Sequence, residues 1–237
     1  SYGLKNPQFS WTLLAWVIPV LILVLTVGIA LLFPDVMFSP DYETAFLDLG
    51  LSQSQVDEAM KELEVIPASI IPIVFVVQGL FAGITINAVA ALGEELGWRG
   101  LLLDELSSLG FWKVSIITGL IWGVWHAPII VQGHNFPGAP FIGIIVMIGA
   151  TVAISPVYTY FTVRANSVWA ATLLHGSFNG LGSLSLVFVM GASNIFISPV
   201  GIAGIGAALA VVLVCLFHDR VLADERVMDK GSPSPWS

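Results

Sequence analysis

The stretch ALGEELGWRGLLL, residues 91–103, decides the fold class, because it carries two glutamates and an arginine inside an otherwise apolar run. Two further apolar runs hold polar residues in the same way. GLIWGVWHAPII, residues 119–130, contains one histidine, and WAATLLHGSFNGLG, residues 169–182, contains a histidine and an asparagine. An ionisable side chain at bilayer depth costs about 2.5–3.5 kcal/mol, so such residues usually face a bundle interior and act there. The pattern predicts a membrane helix bundle with a polar site.

The composition places the whole chain in the membrane class. Hydrophobic residues make up 57% of it and charged residues 10%, whereas soluble domains average about 45–50% apolar and about 25% charged. Membrane lipids are therefore its expected surroundings. The formal net charge of −8 argues against a nucleic-acid partner, because no basic stripe is present to neutralise phosphates. A single cysteine, Cys215, excludes a disulfide framework and a cysteine-based zinc site.

Apolar runs of about 20 residues, the length that crosses a bilayer, predict an all-α polytopic bundle of about six transmembrane helices in one domain, residues 1–237. The predicted spans are Trp11–Phe33, Ser69–Leu106, Phe111–Val131, Ala139–Val163, Ser167–Met190 and Pro199–Phe217. The second span, at roughly 57 Å, exceeds the bilayer thickness. We expect it to tilt, or to break at Gly93 or Gly97.

The loop charges predict the orientation. Lysines and arginines, from Lys5 to Lys230, fall mostly on one side of the membrane, whereas loops 34–68, 132–138 and 191–198 opposite are acidic or neutral. By the positive-inside rule both termini face the cytoplasm. Residues 219–237 are then a cytoplasmic tail, and the protein is a multi-pass protein of the cell membrane.

The external loop 34–68 contains a short amphipathic segment. Val56, Met60 and Leu63 fall on one helical face, and Ser54 with Asp57 comes close to a capping-box pattern. The segment predicts a short helix that lies on the interface or caps the bundle, without a chemical role.

Glu94 and Glu95 are expected to have different partners. Adjacent helical residues point about 100° apart, and Glu95 lies one turn before Arg99, so these two can pair. Glu94 then faces another surface and, if this surface is the bundle core, suits a general base. The alternative is a structural salt-bridge network of all three residues near the cytoplasmic helix end.

For the histidines, a packing role and a chemical role both stay open. His126 can be a core histidine bonded to a neighbouring group. His175 and Asn179 lie one turn apart, so they can bond between helices, or Asn179 can donate to an oxyanion. Counting helical rise places Glu94, His126 and His175 roughly 18, 22 and 12 Å from the cytoplasmic side. This agreement in depth favours one shared site.

The sequences GEELGWRG, WGVWH and HGSFN resemble the three motifs of the CPBP family, the CAAX proteases and bacteriocin-processing proteins also called Abi proteins. The family patterns are EExxxR, FxxxH and HxxxN or HxxxD, on successive helices, and the match covers residues 85–185. Trp122 stands where phenylalanine is usual. The resemblance implies the following site residues: Glu94, Glu95, Arg99, His126, His175 and Asn179. Family members commonly have about eight spans, which leaves open that N-terminal helices are missing here.

The resemblance implies an intramembrane endopeptidase acting on membrane-associated or lipidated proteins or peptides, with a cavity open toward the cytoplasm or the lipid. In one version Glu94 and His126 polarise a water, and His175 and Asn179 stabilise the oxyanion. In the other version the protein is a metalloprotease, and Glu94, His126 and His175 hold a divalent metal such as zinc. The metal question stays open.

Two other classes of protein also stay open. A catalytically silent scaffold or bacteriocin-immunity protein could share this fold, because intact motifs do not prove turnover. A proton-coupled transporter could use intramembrane glutamate and histidine as relays, although the inverted repeats that would support a transporter are not seen in the sequence.

Overall fold

The apolar runs form helices, because a bilayer offers no partner to backbone N–H and C=O groups and a helix satisfies them internally. The computed structural model describes Leu4, residues 7–38 and residues 40–229. Its α-helices are α1 (Phe9–Ala30), α2 (Tyr42–Asp48), α3 (Gln53–Leu63), α4 (Ile71–Ile84), α5 (Ile86–Glu95), α6 (Leu103–Glu105), α7 (Phe111–Trp125), α8 (Ala127–Val131), α9 (Pro140–Ala165), α10 (Val168–Leu181), α11 (Leu184–Phe188), α12 (Asn194–Ile197) and α13 (Ile202–Phe217). Leu96–Leu102 and His218–Leu222 are π-helical, and Ser107–Leu109 forms a 3₁₀ turn.

The described residues contain four helical segments that are long and apolar enough to cross a membrane. These are Phe9–Ala30, Phe111–Val131, Pro140–Ala165 and Asn194–Leu222. The bent pair formed by α4 and the segment Ile86–Glu105 adds a fifth. The predicted all-α polytopic membrane bundle is therefore confirmed.

The fifth predicted span, Ser167–Met190, is divided into shorter elements. It forms the 14-residue α10, then α11, and then the strand β2 (Val189–Met190). Most of α10 is buried, since α1, α4, α5 and α9 pack around it. A helix enclosed by other helices need not match the bilayer thickness, which accounts for a short central helix here.

The second predicted span bends near its middle, by 51° between α4 and the segment Ile86–Glu105. The bend lies at Thr85, whose hydroxyl donates to the carbonyl of Phe81 at 2.8 Å. The expected break at Gly93 or Gly97 is therefore wrong in position. Gly97 lies instead in the π-helical segment Leu96–Leu102, and such wide turns occur frequently at functional sites.

Glycines bring α4 and α10 into backbone contact. A Cβ atom at Gly79 would lie 2.7 Å from the carbonyl oxygen of Gly180, and one at Gly83 would lie 2.6 Å from the Cα atom of Ser177. Small residues at crossings are typical of membrane helix pairs, because they let the backbones approach closely. Asn87 of α5 donates to the carbonyl of Gly176 at 3.2 Å. Together these contacts place α5 alongside α10.

One end of the bundle is closed by a buried ion pair. Arg164 Nη2 lies 2.6 Å from Asp219 Oδ1, and the Asp219 carboxylate also accepts the backbone N–H groups of Val227 and Met228 at 2.9 and 3.1 Å. Within the predicted tail, Asp219, Val227 and Met228 are thus buried against the helices at this end. Residues 230–237 and the predicted orientation marker Lys5 lie outside the described residues.

The opposite end carries the loop 34–68. The strand β1 (Met37–Phe38) pairs antiparallel with β2, and α3 occupies the position of the predicted amphipathic helix, with Val56 fully buried. The capping box of α3 is made by Ser52 and Gln55, two residues earlier than the pattern predicted at Ser54 and Asp57.

Candidate active site

Glu95 lies at the centre of a buried polar cluster. Both of its carboxylate oxygens accept from Arg99 Nη1 at 3.1 Å, and Oε1 also contacts His175 Nδ1 at 2.8 Å. Arg99 Nη2 in turn donates to Ser155 Oγ on α9 at 3.1 Å. Glu95 is 0% exposed and Arg99 1% exposed, so each buried charge depends on the other for compensation.

The contact with Glu95 fixes the tautomer of His175. A carboxylate only accepts, so Nδ1 of His175 carries the hydrogen, and in the neutral ring Nε2 keeps its lone pair. A carboxylate that orients a histidine in this way is a common support for functional imidazoles. The first and third sequence motifs are therefore joined by a direct hydrogen bond.

Aromatic rings enclose the Arg99 guanidinium. Its Cζ atom lies 4.8 Å from the ring centroid of Trp122 and 4.3 Å from that of Tyr158. The ring of Tyr158 also packs edge-on against His175 at 5.9 Å. These contacts add cation–π attraction to the ion pair and hold the buried charge in place.

Glu94 faces away from this cluster. Its Oε2 atom accepts from the indole nitrogen of Trp122 at 3.1 Å and lies 3.5 Å from that of Trp98. Its side chain is half-buried and lines a cavity. As expected, the two adjacent glutamates thus have different surroundings: Glu95 contacts Arg99, and Glu94 lines the cavity. Both indole contacts are made to one oxygen of the carboxylate.

His126 lies at the point where α7 ends and α8 begins. Its Nδ1 atom is 2.8 Å from the carbonyl oxygen of Trp122, while its backbone N–H donates to the carbonyl of Gly123. A carbonyl only accepts, so Nδ1 is the protonated nitrogen, and Nε2 of the neutral ring keeps a lone pair. Pro128 in the first turn of α8 has no backbone N–H, which fits a break in the helix at this position.

Trp122 links the three motifs. Its indole donates to Glu94, its carbonyl accepts from His126, and its ring centroid lies 5.3 Å from that of His175. From the sequence, Trp122 was noted as the residue that stands where phenylalanine is usual in the second motif. Ser155 and Tyr158 on α9 were missed, although two polar residues three positions apart in an apolar span were an available signal.

A cavity of about 650 Å³ brings the motifs together. Glu94, His126, His175 and Asn179 all line it, and a volume of this size is within the range of small-ligand sites. Glu95 and Arg99 lie behind its wall. The four lining residues come from α5, α10 and the α7–α8 junction, so the convergence expected from their depths is present in the structure.

The cavity extends to the end of the bundle that carries loop 34–68. Its mouth contains Asp48, His134, Asn135 and Asn194. The charge rule predicts that this side is external, whereas the resemblance implied a cavity open toward the cytoplasm or the lipid. The Arg164–Asp219 pair closes the opposite end.

The zinc set expected from Glu94, His126 and His175 does not fit this arrangement. Within Leu4, residues 7–38 and residues 40–229, no group of three or more His, Cys, Asp or Glu side chains is placed to hold a metal ion. Nδ1 of His175 contacts Glu95 and Oε2 of Glu94 accepts from Trp122, whereas Nε2 of each neutral histidine keeps its lone pair.

Comparison with known proteins agrees with the motifs. Residues 72–181 match the family model described as Type II CAAX prenyl endopeptidase Rce1-like. Over these residues the chain is similar to the Rce1-like family. The matched segment contains all six predicted site residues, so the resemblance is confirmed. At the family level it supports a CAAX-type protease, and with the apolar helices it supports an integral membrane protein.

One curated relative of this Rce1-like segment is named CAAX prenyl protease 2, from Methanococcus maripaludis. The two sequences are 44% identical over 48 residues, which is 20% of this chain and 18% of the relative. The chain thus matches less than a fifth of that protein's length. No solved structure matches the chain.

Proposed function

We propose that this chain is an intramembrane endopeptidase that hydrolyses a peptide bond in a membrane-anchored, prenylated protein or peptide. The observation that carries the proposal is the convergence of Glu94, His126, His175 and Asn179 on one cavity. The Rce1-like match supports the substrate class. A purely structural network would not need the Glu94 carboxylate and the exposed Asn179 amide at the cavity wall, because Glu95 already compensates Arg99.

In the first step Glu94 and His126 activate a water molecule. The Glu94 carboxylate accepts a proton from the water. The Nε2 lone pair of His126 accepts a hydrogen bond from the same water and so orients it. The hydroxide oxygen then bonds to the scissile carbonyl carbon, and the carbonyl oxygen becomes an oxyanion. A positioned base of this kind contributes about 10²–10⁴-fold to the rate.

Asn179 and His175 stabilise the oxyanion. The amide of Asn179 donates one hydrogen bond, and one such donor is worth about 10²–10³-fold. Donation from Nε2 of His175 requires the doubly protonated ring, which gives the Glu95–Arg99–His175 cluster one net positive charge. This charge suits the negative oxygen of the intermediate. The C–N bond then breaks, and the proton held by Glu94 passes to the departing amine nitrogen, leaving a carboxylic acid and an amine.

Cleavage by purified protein in liposomes tests the proposal. The substrate is a farnesylated peptide with a CAAX-type terminus, and a peptide without the lipid serves as a control. Glu94→Gln and His126→Ala should each lower the rate about 10²–10⁴-fold. Glu105→Gln, which changes an exposed carboxylate on α6 of the same bent segment, should leave it unchanged.

The same assay separates the competing accounts. A folded wild-type protein that binds the farnesylated peptide but never cleaves it would favour the silent-scaffold alternative. Loss of wild-type cleavage with a chelator, and its recovery with added Zn²⁺, would favour the metal version over direct water activation by Glu94 and His126.

A further inference from the structure

Asp48 lies at the mouth of the cavity that holds the candidate site. It is the last residue of α2, its side chain is exposed, and it lines the same cavity as Glu94. It therefore lies beside any peptide that passes from the loop end of the bundle to Glu94 and His126.

The carboxylates that line this cavity are not balanced by a lysine or arginine on the part of its wall that the structure describes. Among the described residues that line it, the carboxylates of Asp48 and Glu94 are present, and no lysine or arginine is. Arg99 is almost fully buried behind the wall and its charge is compensated by Glu95. Clefts with one sign of charge and low-dielectric walls concentrate ligands of the opposite sign.

Asp48 occupies a position where a negative charge does not help the fold. A carboxylate at a helix C-terminus opposes the helix dipole, whose C-terminal end is negative. Within the described part of the chain, no lysine or arginine forms an ion pair with Asp48. By contrast, Asp41 at the start of the same helix accepts from the backbone N–H of Thr44 and caps it. Asp48 thus has no evident role in stabilising α2.

We propose that Asp48 is a specificity-determining residue that selects peptides carrying lysine or arginine in the segment that lies at the cavity mouth. The inference rests on the proposed peptidase function and adds the charge of the preferred substrate. A cationic segment is attracted to Asp48, whereas an acidic segment meets a like charge there. Complementary charges at a binding surface favour the matching partner and disfavour the wrong one.

The test uses lipidated peptides that differ only in charge. Lysine, glutamine or glutamate is placed at the same positions on both sides of the scissile bond, and kcat/KM is measured in liposomes of neutral lipid. Wild-type protein should prefer the lysine peptide over the glutamate peptide by roughly fivefold or more. Asp48→Asn should remove most of this preference, and Asp48→Lys should reverse it.

Two controls isolate the role of the charge. Glu43→Gln removes another exposed carboxylate of α2 that does not line the cavity, and should keep the wild-type preference. Salt at about 1 M, where the Debye length is roughly 3 Å, should weaken the preference in wild-type protein. Identical peptide rankings in wild-type protein and Asp48→Lys would overturn the proposal.

Failure of the proposed peptidase function can be distinguished from failure of the selectivity proposal. If none of the peptides is cleaved, the proposed function fails, and fluorescent versions of the same peptides then report Kd. A ranking of lysine over glutamine over glutamate that Asp48→Lys reverses supports the selectivity proposal without turnover. No binding, or a ranking that ignores Asp48, overturns it.

Discussion

Glu95 Oε1 and His175 Nδ1 lie 2.8 Å apart in the buried centre of the bundle. This single contact connects two sequence motifs that are 80 residues apart in the chain, and it leaves Glu94, the neighbour of Glu95, facing the cavity. The two adjacent glutamates thus have separate surroundings, and substitutions at each should have separate consequences.

Glu95→Gln should destabilise the protein more than Glu94→Gln does. Breaking a buried charge pair typically costs about 3–5 kcal/mol, because the remaining partner, here Arg99, stays buried and uncompensated. The free energy of unfolding of both variants, measured in detergent, gives this difference. Equal stability of the two variants, with cleavage lost only in Glu95→Gln, would reverse the roles assigned to the two residues.

Gly176→Ala should destabilise the crossing of α4 and α10. A Cβ atom there would contact the carbonyl oxygen of Gly83, a backbone atom that cannot move aside alone, and overpacking typically costs about 1–3 kcal/mol. Gly93→Ala is the matched control, since its Cβ would meet no atom within 4 Å. That control should be neutral or slightly stabilising in a helix. If both variants melt alike, the close approach does not contribute to stability.

Asp219→Asn should loosen the closed end of the bundle. The Asp219 carboxylate is fully buried and compensates Arg164 while it holds the segment that contains Val227 and Met228, so a loss of about 3–5 kcal/mol is expected. Asp229→Asn removes an exposed ion pair with Arg226 and should cost at most about 1 kcal/mol. Proteolysis and thermal melting compare the two variants, and similar losses would contradict the account.

The fold class and the convergence of Glu94, His126 and His175 could be predicted from the sequence. Hydropathy indicates which segments lie in lipid, and the rise per residue along a helix gives the depth of each side chain. The pairing of Glu95 with Arg99 also followed from their spacing. Local signals could not locate the bend at Thr85, because no proline marks it in the sequence. The bond between His175 and Glu95 was not predictable either, because spacing within one helix says nothing about the rotation of another.

Loop charges alone do not predict at which end of the bundle the cavity opens. The positive-inside rule predicts that both termini face the cytoplasm and that His134, at the cavity mouth, faces the outside of the cell. His134→Cys should then react with an impermeant thiol reagent in intact cells, and Asp224→Cys only after permeabilisation. The native Cys215 is buried and gives a low background. Reversed labelling would place the cavity mouth in the cytoplasm and contradict the charge rule.

A double-mutant cycle on Glu94 and His126 tests the central claim most directly, namely that the two residues act on one water in one site. Single-turnover cleavage of the farnesylated peptide is measured for Glu94→Gln, His126→Ala and the double variant. Residues that act as a unit are strongly non-additive, so the double variant should lose about the same 10²–10⁴-fold as each single variant. A double variant whose loss is the product of the two single losses would contradict a shared site.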